Sequence, residues 1–146
     1  MKWWRLLLLS VWPLAAGGEL VWLPDAEPQQ VFARDAQAVK AVIRNRGEQR
    51  VNEPVYARLY QISSATMAPL GKPWFWKRLE MLPGQTVIEE ISVAFPQVRA
   101  AAPFRLFWLN EHGTTLAYTE VWAYPTDLLH SLKTLAGGAP LGVFDP

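Results

Sequence analysis

The chain reads as an all-β protein: an antiparallel β-sandwich of about seven short strands, with a signal helix before it and a short helix after it. Three observations predict this. Apolar and polar residues alternate with a period of two in several segments. Turn residues separate those segments at near-regular spacing. No helix-period segment is long enough to cross between parallel strands, so an α/β sheet is not expected.

The first element is the start of the chain. Lys2 and Arg5 bracket two tryptophans, an apolar stretch runs from Leu6 to Ala16, and Gly17 and Gly18 follow. A positive start, a short apolar core and small residues are the layout of a secretory signal peptide. The core has 11 residues, against the roughly 20 that a spanning helix needs. An uncleaved anchor is the competing reading, because Leu20 to Leu23 extend the apolar character past Glu19. The segmentation is therefore 1–18 signal, 19–125 sandwich and 126–146 helix and tail.

Leu20 to Leu23 form a lead-in strand ended by Pro24, and Gln30 to Ala33 an edge strand. Val39, Ala41 and Ile43 alternate with Lys40, Val42 and Arg44, as in a half-buried strand. Asn45-Arg46-Gly47-Glu48 turns the chain, and Pro54 opens the strand Val55 to Ile62. There Val55, Ala57 and Leu59 share one face; Tyr56, Arg58 and Tyr60 share the other. Ser63 to Lys72 reads as a loop, and Trp74 to Met81 as strand. Leu82-Pro83-Gly84-Gln85 fits a type II turn, with Pro second and Gly third.

Val87 to Ala94 is rich in β-branched residues and reads as the next strand. A crossing loop from Pro96 to Pro103 leads to Phe104 to Leu109. Asn110 to Gly113 is a hairpin turn into Thr114 to Tyr124. On that last strand Leu116, Tyr118, Glu120 and Trp122 take one face; Thr115, Ala117, Thr119 and Val121 take the other. Thr126 or Asp127 then caps a short helix with Leu128, Leu129, Leu132 and Leu135 on one stripe and Gly137 past its end. A helix this short is marginal alone, so it needs a surface to dock on.

Without the signal, 128 residues remain, with 12 basic and 13 acidic side chains. That is one domain by size. The balance of −1 gives no basic surface for nucleic acid. There are no cysteines. The fold must therefore hold by packing, without cross-links or thiolate metal sites. Five Trp, four Tyr and six Phe supply the large side chains of a sandwich core.

Three stretches carry a family resemblance. Val39 to Glu48 with its Asn45-Arg46-Gly47 turn, Pro54-Val55-Tyr56-Ala57-Arg58-Leu59-Tyr60, and the Leu82-Pro83-Gly84-Gln85 turn resemble bacterial CARDB-type immunoglobulin-like domains over residues 29–124. The resemblance implies an immunoglobulin-like, extracytoplasmic seven-stranded sandwich associated with adhesion and assembly of surface proteins. Gly71-Lys72 through Trp74 and Trp76 to Leu82-Pro83-Gly84 is also similar to a run in a small family of bacterial proteinase inhibitors. Neither resemblance implies catalytic residues.

The residues themselves offer little chemistry. His112 falls in a hairpin turn and His130 on the tail helix, neither with carboxylates at ligand spacing. Glu89 and Glu90 are adjacent on a strand and point to opposite faces. No phosphate-binding glycine motif occurs. The expectation is a protein that is not an enzyme, with no cofactor and no metal.

Candidate interface residues are Trp74, Trp76, Tyr56, Arg58, Tyr60, Leu128, Leu132 and Leu135. Trp74 and Trp76 share a face, opposite Phe75. Two readings are open for them: a core face, or exposed indoles that stack on sugar rings or anchor a protein. If exposed beside Tyr56, Arg58 and Tyr60, they would form one aromatic-basic patch. The function expected is an exported, periplasmic or secreted module that binds a protein partner in the cell envelope. Carbohydrate binding and proteinase inhibition are the alternatives. No nucleic-acid partner is expected, and the membrane is met only through the signal segment.

Overall fold

The computed structural model describes residues 19–137, 139, 140 and 142. The signal-peptide expectation, residues 1–18, lies outside the described residues. Eight strands are present: β1 (Leu20–Leu23), β2 (Gln29–Phe32), β3 (Ala36–Asn45), β4 (Val51–Ile62), β5 (Met67–Met81), β6 (Thr86–Ala94), β7 (Ala102–Leu109) and β8 (Thr115–Tyr124). They make a three-stranded sheet, β1-β3-β6, and a five-stranded sheet, β2-β8-β7-β4-β5. The all-β sandwich expected from the alternation is the observed fold.

One pair breaks the antiparallel rule: β2 runs parallel to β8, from Gln29↔Val121 to Phe32↔Tyr124. Pro24 and Pro28 stop the ladder after β1, and the chain steps to the other sheet without reversing. Gln29 pins the step. Its Nε2 donates to Asp25 Oδ2 and to the Lys40 carbonyl, both at 2.7 Å, and its Oε1 accepts from Lys40 N.

The expected loop from Ser63 to Lys72 is mostly strand. A tight turn closes at Ser63–Thr66, where Ser63 Oγ accepts from Thr66 N at 3.0 Å, and β5 begins at Met67. Pro69, Gly71 and Pro73 look like loop residues, but β5 is a sheet edge with one ladder to satisfy, so prolines are tolerated. The pairing jumps from Ala57↔Trp74 to Leu59↔Leu70, which leaves two extra residues bulged in β5. Gly71 supplies the left-handed backbone there, with φ +79.

The Leu82–Gln85 turn forms as expected, with Gln85 N donating to Leu82 O at 3.1 Å and Gly84 at φ +73. Asn45 does more than turn the chain. It is fully buried, and its Nδ2 donates to the carbonyls of Gln49 (2.7 Å) and Leu82 (3.2 Å). Its Oδ1 accepts from Gly47 N, and its carbonyl accepts from Gly84 N. One side chain thus joins the turn after β3 to the turn after β5, and each buried polar atom is satisfied.

The core lies between the sheets. Val39, Ala41, Ile43, Ile91 and Val93 face Val55, Ala57, Leu59, Phe104, Leu106 and Val121. Trp108 is fully buried at the centre. Trp76 packs on it at 4.7 Å and Trp22 at 6.2 Å between ring centroids. Its Nε1 donates to Thr119 Oγ1 at 3.0 Å, which pays for burying the indole nitrogen. The helix α1 (Leu128–Leu135) follows Asp127 as N-cap residue, without a side-chain cap bond.

Candidate interaction surface

Alternation places Tyr56, Arg58 and Tyr60 of β4 on the outer face of the five-stranded sheet, because Val55, Ala57 and Leu59 are buried inside. Register decides what stands beside them. Tyr56 lies opposite Phe75 of β5 and Leu109 of β7. Arg58 lies opposite Phe107, and Tyr60 opposite Arg105. Phe107 in turn lies opposite Tyr118 of β8, and Arg105 opposite Glu120.

The side chains make a band of two ring clusters, Tyr56–Phe75 and Tyr60–Phe107–Tyr118, with Arg58 between them along β4. Tyr56 meets Phe75 edge-on at 5.7 Å. Tyr60 meets Phe107 at 4.8 Å, and Phe107 meets Tyr118 at 5.7 Å. Arg58 lies over the Tyr60 ring at 5.2 Å and Arg105 over Tyr118 at 4.6 Å, in cation–π geometry. Arg105 Nη2 also holds Glu120 at 2.8 Å. Arg58 has no carboxylate across from it; its Nε donates to the carbonyl of Gly71 in the β5 bulge at 3.2 Å. Phe75 is 56% and Tyr118 50% exposed. No secondary-structure element among the described residues covers this band.

Trp74 and Trp76 require a correction. They share a face, but it is the inward one, and both pack against the core. Trp76 lies on Trp108, its Nε1 donates to the Glu90 carbonyl at 3.3 Å, and Lys77 crosses its ring at 5.6 Å. Their opposite number, Phe75, is the residue that joins Tyr56 outside. The exposed indole pair is therefore absent, and the single patch with Tyr56 is made by Phe75. The physical reason is burial: two indoles remove more apolar surface from water than one phenyl ring.

Phe107, Arg105, Tyr118 and Phe75 complete the band and were not among the sequence candidates. Tyr118 had the right face assignment; its neighbours needed the register. Leu116 parts from Tyr118, Glu120 and Trp122, with which alternation grouped it, and packs on the core, because the ladder slips between Trp108 and Leu109. On α1, the interface candidates Leu132 and Leu135 are 41% and 84% exposed, and Leu128 is half-buried. His112 sits exposed beside Glu111 at 3.6 Å, and His130 is exposed on α1. Among the described residues no group of three His, Cys, Asp or Glu side chains converges.

No protein-family model and no curated protein matches this chain. Solved structures do. A β-glucosidase from Erythrobacter marinus is similar over 73% of this chain and 15% of its own, with 10% identity and a TM-score of 0.51. A mutant β-glucosidase from Listeria innocua in complex with laminaribiose is similar over 74% of this chain and 16% of its own, with 12% identity and a TM-score of 0.50. A Niemann-Pick type C2 protein from Japanese carpenter ant matches over 75% of this chain and 92% of its own, with 9% identity and a TM-score of 0.44. At these identities the likeness to the two β-glucosidases is one of fold. The chain spans about one sixth of the length of the two β-glucosidase chains.

Proposed function

We propose that this chain is an exported, non-catalytic, immunoglobulin-like interaction module of the bacterial cell envelope that binds a protein partner through the outer face of its five-stranded sheet. One observation carries the reading. Phe75 and Tyr56 form one aromatic cluster on that face and Tyr60, Phe107 and Tyr118 another, set with Arg58 and Arg105. Aromatic residues and arginine are the side chains enriched in protein interfaces and their hot spots. The guanidinium of Arg58, without a carboxylate across the sheet, favours a partner that presents one.

The ring geometry favours protein over sugar. Stacking on a sugar needs a flat, open ring face. The outer rings meet at 73°, 61° and 38°, and arginines already lie over two of them. Trp74 and Trp76, on which the carbohydrate alternative rested, face the core. Proteinase inhibition rests on that same Trp74–Trp76 stretch and has no further support.

The test is site-specific photo-cross-linking in envelope extract. A photoreactive residue at Phe75 should capture a defined protein, and Arg58→Glu should abolish the adduct. The same residue placed at Arg44, exposed on the central strand of the other sheet, should capture nothing. Equal capture from both positions, or none at Phe75, removes the proposal.

A further inference from the structure

The β6 strand is an edge of the three-stranded sheet, and its free side is unevenly covered. Asn45 N donates to Gln85 O, so the odd-numbered residues of β6 turn their peptide groups toward β3. The even-numbered ones face the open edge. The Trp76 indole bond to the Glu90 carbonyl confirms that parity independently. At that end the edge is closed, since Lys77 also holds Glu89 at 2.7 Å across the gap between the sheets. The next two edge-facing residues, Ser92 and Ala94, have no backbone partner on that side among the described residues.

Beside those two residues the sheets part. A hollow of about 430 Å³ opens between Leu59, Leu70 and Trp74 on one wall and Ser92–Ala94 with Pro96 on the other. The β5 bulge lies in this stretch, between Leu70 and Trp74. Every side chain in the lining except Ser92 is apolar. Glu89 and Glu90 precede the hollow on β6 and already lie beside Lys77 and Lys40, while the stretches on either side of it, residues 67–76 and 91–101, carry the cations Lys72 and Arg99. Neither cation has an ion pair among the described residues.

A free ladder over an apolar hollow, between chain segments that carry Lys72 and Arg99, matches one kind of occupant. We infer that the β6 edge at Ser92 and Ala94 takes an extended peptide strand of a partner protein, whose large apolar side chain fills the hollow against Trp74 and whose flanking carboxylates meet Lys72 and Arg99. Main-chain bonds to the edge supply affinity, and the hollow supplies specificity, as in other strand-addition complexes. This site is separate from the aromatic band and stands without it.

The probe is a synthetic nonapeptide of threonines with a central phenylalanine and a glutamate at each end. Binding should slow hydrogen exchange at the amides of Ser92 and Ala94 and shift Trp fluorescence. N-methylation of one alternate set of peptide amides should weaken binding by about tenfold or more, while the other set is neutral. Replacing the end glutamates with lysine should weaken it by about tenfold, and less at high salt. Ser92→Pro, which removes an edge-facing N–H, should weaken it without changing the affinity at the aromatic band.

Because Ser92→Pro risks the fold, the exchange experiment on the unmodified protein decides. Unprotected Ser92 and Ala94, or equal effects of both methylated sets, overturns the inference. So does uptake of N-phenyl-1-naphthylamine into the hollow with no peptide binding, which would mark a small-molecule pocket. A concentration-dependent dimer that the peptide leaves intact would assign the edge to a second copy and overturns it too.

Discussion

The two outer faces of this sandwich share one core and differ in almost everything else. The three-stranded sheet shows water Lys40, Arg44, Thr86, Glu90 and Ser92, with Lys40 and Glu90 in cross-strand register and 4.0 Å apart. Its one large exposed apolar residue, Ile88, is 71% exposed and stands opposite Val42. The five-stranded sheet shows rings and guanidinium groups in mutual contact. Solubility alone asks only for the first pattern. The aromatic face that the fold does not use for packing between its sheets is what the proposed interface rests on.

That contrast can be tested from both sides, beginning with what the faces share. Trp108→Ala should cost about 3–5 kcal/mol in chemical denaturation, since it empties the layer beneath both faces. A small loss would mean that the outer rings, not the core, hold the sheets together. Next in size is binding. Arg58→Glu with Tyr60→Ser should weaken the partner by about thirtyfold or more while costing no more than about 1–2 kcal/mol of stability. Lys40→Glu on the other face should leave affinity unchanged, and equal losses would erase the distinction.

A smaller difference should appear in stability. Phe107 is half-buried between Tyr60 and Tyr118, so Phe107→Ala should cost about 1–2 kcal/mol. Ile88→Ala, across the molecule, should stay within about 0.5 kcal/mol. If Ile88 proves the costlier of the two, the three-stranded face is the one doing structural duty. The least effect belongs to the exposed Lys40–Glu90 pair, where a double-mutant cycle should give about 0–0.5 kcal/mol. A larger coupling would show that face to be organised as well.

Much of the sandwich was legible in the sequence for a local reason. Alternation in Val39 to Arg44 and in Val55 to Tyr60 marks strands whatever they pair with. Pro83-Gly84 and Asn110 to Gly113 mark turns because few residues adopt those backbone angles. Misreadings came where a neighbour altered the local rule. Pro69 and Gly71 signalled a loop, yet an edge position makes them tolerable in β5. Alternation groups Leu116 with Tyr118, and a ladder slip turns it in instead. Asn45 read as a turn residue, and only the approach of the second turn showed that it joins the two.

The candidate surface divides the same way. Tyr56, Arg58 and Tyr60 were found because three alternate residues on one strand must share a face. Phe107, Arg105 and Tyr118 were missed because their adjacency depends on register between strands about fifty and sixty positions apart in the chain.

By itself the sequence determined that Phe75 stands opposite Trp74 and Trp76, for successive strand residues cannot share a side. It did not determine which side is wet. That choice was made when the second sheet arrived and covered one face, and burying two indoles outweighed burying one phenyl ring. A period of two separates neighbours by geometry, whereas inside and outside are assigned only by what the rest of the chain lays on top.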